Sequence, residues 1–226
     1  MHGDADLAAP ARLMGEPARA AMLLALLDGR ALPASDLAGI AGVRPSTASA
    51  HLAQLVDGGL VTGRRLGRHH YFSLAGPEVA NAVEALQLLA PRREVTSYSQ
   101  SKTAARLAEA RTCYDHLAGR VAMVLADALV TEGAIAPLVA GATGNVVDAG
   151  RPIAEGLEVH LVLAAAGRRP VVRGCLDWTE RRPHIAGRLG AHLLERLLDE
   201  GWVTHIAGER SLRITAEGRA RFEALA

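Results

Sequence analysis

The chain has 226 residues, 50% of them hydrophobic and 3% aromatic, with a formal net charge of +1. That length suffices for two domains of ordinary size, and the aliphatic bias points to helical packing. Near-neutral charge excludes a uniformly basic coat, two cysteines are too few for a secreted disulfide framework, and no run of about 18 apolar residues offers a membrane span.

From the N-terminus, Glu16-Pro17-Ala18-Arg19 precedes AAMLLALLDG, with proline suited to a first helical turn and Gly29 to the end. ASDLAGIAGV follows, a short helix carrying Leu37 and Ile40 that Ser35 is placed to cap, before a turn at Ala41-Gly42-Val43. A third helix is predicted over Ser46 to Asp57. Ala48, Leu52, Leu55 and Val56 make its apolar stripe, and Thr47, His51 and Gln54 recur on another face. Two helices joined by a tight turn, the second polar on its outer side, are the parts of a helix-turn-helix. Any surface helix also shows polar residues opposite its core stripe, so the following segment decides.

Leu60-Val61-Thr62 starts a strand, Gly67 sits where a hairpin must turn, and Tyr71-Phe72-Ser73-Leu74 returns. The tip carries Arg64, Arg65, Arg68 and His69. From Arg44 to Phe72 there are four arginines against one acid, Asp57, so a basic edge hides within the neutral total. Such a hairpin is a wing able to straddle the phosphate backbone of double-stranded DNA. Arg44, Ser46, Thr47 and Ser49 at the helix start join the wing as phosphate contacts, while His51 and Gln54 can reach base edges.

EPARAAMLLALL, SDLAGIAGVRPSTASAHLAQLVDGGLV and RRLGRHHYFSL together resemble the winged-helix domain of ArsR-type bacterial repressors, over roughly residues 10–90. The resemblance implies a homodimer on a palindromic operator, released when an inducer binds. Many members of that family sense metals through a Cys-x-Cys before the recognition helix, or through Asp/His pairs on the last helix. Residues 35–43 hold no cysteine, and 77–90 hold no histidine and only Glu78 and Glu84 as acids, so neither site carries over.

The first domain is expected over residues 1–95, with PRREVTSYSQSK (91–102) as a linker or the end of a dimerisation helix. Residues 96–226 then form a second domain, for dimerisation or effector sensing, built on a duplication of 113–133 and 175–201. HLAGRVAMVLADALVTEG from His116 aligns without gaps on HIAGRLGAHLLERLLDEG from His184. LERLLDEGWVT (194–204) also matches LAQLVDGGLVT (52–62) at six of eleven positions, then runs through Gly208 and Leu212 into a helical tail. LEVHLVLAA (157–165) reads as an apolar strand. The expected fold class is mainly α with small β-hairpins (α+β), a winged helix-turn-helix followed by a second, winged-helix-like helical domain.

Cys113 lies three residues before His116, and Cys175 nine before His184. Two thiolates and two imidazoles are an acceptable tetrahedral set for a thiophilic metal such as zinc, with Asp115, Asp177 and Glu180 as nearby oxygen donors. The same residues also read as a regulatory disulfide or reactive thiols, as an organic-ligand pocket beside Tyr114 and Trp178, or as plain packing with no cofactor. All four readings stand at the level of sequence.

The expected function is a sequence-specific transcriptional regulator, a homodimeric repressor whose unidentified inducer acts through the second domain. The alternative is a tandem winged-helix architectural module without ligand sensing. No nucleophile elbow, Gly-rich phosphate loop, HExxH or paired-carboxylate motif speaks for an enzyme. MHGDADLAAP lacks a charged segment followed by an apolar core, so a cytoplasmic protein with no membrane partner is expected.

Overall fold

The structure, a computed structural model, describes residues 4–67, 69–91 and 97–226. Arg68 of the expected wing and residues 92–96 of the expected linker lie outside the described residues. The chain divides into two compact units, residues 1–83 and 84–226.

The first unit opens with α1 (Ala8–Met14) and α2 (Pro17–Ala25). Glu16 caps α2 by accepting a hydrogen bond from the Arg19 N–H at 2.8 Å, and Pro17 fills a first-turn position that needs no donor. After β1 (Leu32–Pro33) comes α3 (Ala34–Ala41), which ends on Gly42 in the left-handed region at φ 66°. Ser35 does not cap α3. Pro33 holds the extended cap position, and Ser35 lies inside the first turn with its hydroxyl on Asp36 at 3.2 Å. Next come α4 (Pro45–Asp57), β2 (Val61–Leu66) and β3 (His69–Leu74). The strands pair antiparallel in the order β1-β3-β2, and Gly67 makes the tip at φ 59°. Met22, Leu23, Leu27, Leu37, Leu52, Leu55, Phe72 and Leu74 are buried between these elements. Helix α5 (Pro77–Leu89) follows, its residues from Glu84 onward belonging to the second unit.

The second unit continues with α6 (Tyr98–Glu109), capped by Ser97, whose hydroxyl accepts from the Gln100 N–H at 3.2 Å. Residues 98–102 are therefore helix and not linker, because the hydroxyl at Ser97 supplies a start signal that outweighs the polar composition. A first hairpin, β4 (Arg111–Cys113) with β5 (His116–Ala118), leads into α7 (Arg120–Thr131). Then come β6 (Thr143–Gly144), α8 (Pro152–Gly156) and α9 (Val159–Ala164). A second hairpin, β7 (Val172–Leu176) with β8 (Pro183–Ala186), leads into α10 (Gly187–Asp199). The chain finishes as β9 (Val203–His205), β10 (Leu212–Ile214) and α11 (Ala216–Leu225).

The stretch expected as a strand at 157–165 is α9 instead. Val159 and Val162 are buried while Leu161 and Leu163 are exposed, a helical spacing of three that no alternating strand would give.

The duplication in sequence is a duplication of form: hairpin, glycine, helix. Gly119 and Gly187 occupy the junctions at φ 91° and 84°. A Cβ on Gly119 would lie 2.8 Å from the Ala108 carbonyl oxygen, and one on Gly187 would lie 2.7 Å from that of Pro170. Only glycine fits either place. Around these copies Leu125, Leu129, Ile135, Leu189, Leu193 and Leu197 form a continuous core, closed by Trp202 edge-on to Phe222 at 5.5 Å.

Candidate nucleic-acid interface and cysteine–histidine cluster

Helix α4 buries Ala48, Leu52 and Leu55 and leaves Ser46, Thr47 and Ser49 exposed, so its outer side is free of the core. Pro45 opens the helix after Arg44 with no side-chain cap. The first-turn N–H groups thus lack a side-chain partner and carry the positive end of the helix dipole. Ser49 donates its hydroxyl to the Pro45 carbonyl at 2.9 Å. In the adjoining hairpin Arg64 pairs with Tyr71, Arg65 with His70 and Leu66 with His69. Arg64, Arg65 and His69 are all exposed.

His51 and Gln54 lie one and two turns beyond Thr47 on the same face of α4, where they meet Arg19. Gln54 Oε1 accepts from Arg19 Nη1 at 2.6 Å, and His51 Nδ1 lies 3.5 Å from the same nitrogen and 3.6 Å from Glu16 Oε2. Arg19 is buried and also donates to the Leu13 and Arg12 carbonyls. Gln54 remains exposed while this anchor fixes its carbonyl. The hydrogen bond from the Arg19 N–H holds the Glu16 carboxyl below its ordinary value, against the opposing effect of burial.

The second unit brings Cys113, His116, Cys175 and His184 together. Cys113 stands opposite His116 across the β4–β5 hairpin, and Cys175 opposite His184 across β7–β8. All four are buried, and one ligand atom from each lies within 4.8 Å of every other. Sγ meets Sγ at 3.9 Å and Nε2 meets Nε2 at 3.0 Å. His116 Nδ1 contacts Asp115 Oδ1 at 3.3 Å, and Asp115 is in turn paired with Arg169. His184 Nδ1 lies 3.6 Å from Asp177 Oδ2.

Asp177 ties the two copies together. Its Oδ2 accepts the Gly119 N–H at 2.8 Å, while Oδ1 accepts the Thr179 hydroxyl at 2.6 Å and faces Arg111 Nη2 at 2.9 Å. Arg111 is fully buried and stacks over Trp178 at 5.0 Å. Glu180 donates its own N–H to Asp177. Burial opposes ionisation of Asp177, yet Arg111, Thr179 and the Gly119 N–H hold it well below the usual carboxylate range. Hydrogen bonding to Cys175, together with burial, pushes the Cys113 thiol well above its ordinary value. Burial, His116 and Arg111 keep His184 well below the imidazole value, despite Asp177. For His116 burial works in the same sense, but Cys113 and Asp115 prevail and raise it to about 9.

A family profile described as a helix-turn-helix domain matches residues 14–64. A relative from Bacillus subtilis (strain 168), named "Uncharacterized HTH-type transcriptional regulator YdfF", is 39% identical over 218 residues, covering 96% of each chain. The chain belongs to the helix-turn-helix transcriptional regulators. Its first unit is a helix-turn-helix followed by a two-stranded wing, and the overall fold is mixed helix and small antiparallel sheets. As a regulator of this class it has DNA as its partner. Among the described residues no helix is long and apolar enough to cross a membrane.

Solved structures resembling this regulator include HlyU from Vibrio cholerae, at 29% identity and TM-score 0.34 over 36% of this chain and 88% of that one. The homodimeric winged helix-turn-helix DNA-binding domain of Mb0332 from Mycobacterium bovis, a possible ArsR-family regulator, gives 30% identity and TM-score 0.34 over 39% and 89%.

Sequence reasoning missed three structural members of these sites. Arg19 was visible only as part of an initial Glu-Pro-x-Arg, with nothing to reveal its grip on Gln54. Arg111 carries no local sign of burial, since its partner Asp177 comes from the other copy. Gly190 permits the close approach of α10 to the cluster: a Cβ there would lie 3.0 Å from His116 Cβ. Its alignment with an alanine in the first copy, Ala122, was the available signal.

Proposed function

We propose that this regulator is a homodimeric, cytoplasmic, non-catalytic repressor that grips operator DNA through α4 and the β2–β3 wing and lets go when the second unit binds an effector. One observation carries the DNA contact. The outer side of α4, with Ser46, Thr47 and Ser49, is exposed in the same unit as an exposed Arg64 and Arg65. Uncapped N–H groups at a helix start and arginines on a hairpin suit phosphates, and the following turns of α4 suit a major groove. Gln54, with its carbonyl pinned by Arg19, has a fixed orientation for reading a base edge. Arg44, His51 and His69 complete the contact set, and Arg68 joins it from the sequence pattern.

Two features of the second unit favour sensing over a second DNA contact. Two charges of its own hairpin turn are spent internally, Glu209 on Arg106 at 2.6 Å and Arg210 on Glu84 at 2.7 Å. Its four buried Cys and His side chains converge on one point. Exposed Leu86 and Leu89 on α5 supply an apolar face for a second copy. Footprinting separates this reading from the tandem architectural module. One short palindrome supports a repressor, and indifferent coating of DNA overturns it. Sedimentation of Leu86→Glu/Leu89→Glu tests the dimer, which should dissociate.

A further inference from the structure

We infer that Cys113, His116, Cys175 and His184 are a closed tetrahedral site for one thiophilic divalent cation of the zinc class. The two hairpins contribute identical halves. Each presents one thiol and one imidazole at directly opposed positions, so the duplication generates a complete ligand set where the copies meet.

The distances fit. Bond lengths of about 2.3 Å to sulfur and about 2.0–2.1 Å to nitrogen place tetrahedral S···S near ~3.8 Å, N···N near ~3.4 Å and S···N near ~3.6 Å. The observed S···S is 3.9 Å, N···N is 3.0 Å, and every pair lies within 4.8 Å. The longest pair needs to close by only about 1 Å, a shift within the reach of side-chain rotation.

The surroundings fit independently. Both imidazoles turn Nδ1 toward a carboxylate, His116 to Asp115 and His184 to Asp177, and both aim Nε2 at the same point. A carboxylate behind Nδ1 favours the tautomer in which Nε2 offers its lone pair, the arrangement that supports histidine ligands; Asp115 is hydrogen-bonded to His116 in this way, and Asp177 stands 3.6 Å behind His184. His184 Nδ1 is fully buried and makes no hydrogen bond within the usual geometric limits among the described residues. The two Nε2 atoms at 3.0 Å share one hydrogen bond, and the proton in it takes the place that a bound cation would fill between two lone pairs. Two thiolates also neutralise a divalent charge, so the occupied site is neutral overall, and Arg111 is already balanced by Asp177. Sulfur and nitrogen donors without oxygen select against magnesium and calcium. Four protein ligands leave no open position, which suits holding an ion rather than reacting at it. The bound ion clamps the hairpin leading into α7 to the hairpin leading into α10. Its regulatory meaning rests on the sensing role proposed above.

The test uses the full-length chain, reduced and stripped with chelator, titrated with Co(II) and then Zn(II). Expected are one ion per chain, thiolate-to-cobalt charge-transfer bands, the intense visible absorption of four-coordinate cobalt, and displacement by Zn(II). The thiolate bands should vanish in Cys113→Ser/Cys175→Ser. Asp115→Asn should keep them while weakening affinity about 10–100-fold. Reduced wild-type protein that shows no thiolate bands, or bands that persist in the double variant, overturn the site. If the double variant does not fold by circular dichroism, Asp115→Asn decides, and an unchanged affinity overturns the site. Operator anisotropy with and without Zn(II) tests the sensing role separately. An ion that binds with thiolate bands yet leaves operator affinity unchanged upholds the site and overturns that role alone.

Discussion

His116 and His184 meet Nε2 to Nε2 at 3.0 Å although they belong to different hairpins. Each holds the same place in its own copy of the repeat, opposite a cysteine and just before a left-handed glycine. Asp177 fastens the copies by binding the Gly119 N–H of one and Arg111 beside it, so the meeting point is rigidly framed. A buried polar constellation of this kind persists only when its members satisfy one another.

Removing the wing arginines should weaken binding to every duplex alike. Arg64→Ala with Arg65→Ala takes away two exposed cations that the proposed function sets against the phosphate backbone. The slope of log affinity against log salt should become shallower by about 0.9 for each phosphate that is no longer neutralised. Anisotropy across a salt series measures it. A weakening confined to the operator would instead make these arginines base readers.

Arg19→Ala should act on specificity and stability together. The guanidinium holds Gln54 and two α1 carbonyls from a buried position. Leaving those acceptors unmatched should lower unfolding free energy by about 1–3 kcal/mol, read by urea denaturation. The ratio of operator to random-duplex affinity should also shrink, since Gln54 loses its fixed orientation. Unchanged discrimination would separate Gln54 from base reading.

The DNA-binding unit was legible because its signals are local. Glu16-Pro17 marks a helix start, Ala48, Leu52 and Leu55 a buried stripe, and Gly67 a hairpin tip. Each lies within a few residues of what it determines. The four cysteines and histidines were also readable as candidates, through the repeated His-x-Ala-Gly-Arg. Their unequal spacing concealed the shared register, because one hairpin turns in two residues and the other carries a longer loop. Arg111, Asp177 and Arg19 were not readable in their roles, since burial of a charge depends on a partner distant in sequence. The 157–165 segment went to the wrong element because a short apolar run looks alike as strand or helix; packing against α10 chose the helix.

Breaking the buried ion pair from one side should be severe. Asp177→Asn removes the nearer countercharge of the fully buried Arg111, at 2.9 Å, and leaves it only Glu84 at 4.0 Å. The expected loss is about 3–5 kcal/mol in chemical denaturation. Arg111→Met combined with Asp177→Asn should be less damaging than the single change. Equal or additive losses would show that the two residues act independently.

The junction glycines should differ from the open ones. Gly201 is left-handed at φ 69° with open space around its Cβ position, so Gly201→Ala should cost about 1–2 kcal/mol. Gly119→Ala adds a clash with the Ala108 and Glu109 carbonyls and should lose more, by thermal denaturation. Similar losses would mean that α6 yields to the added methyl group.

The central claim is that α4 and the β2–β3 wing grip duplex DNA. Its most direct test is a hydroxyl-radical footprint of the full-length chain on sites selected from random duplexes, compared with Arg64→Ala/Arg65→Ala. The predicted result is two protected half-sites about one helical turn apart, with flanking backbone protection lost in the variant. Uniform protection, or a footprint the variant leaves unchanged, would contradict it.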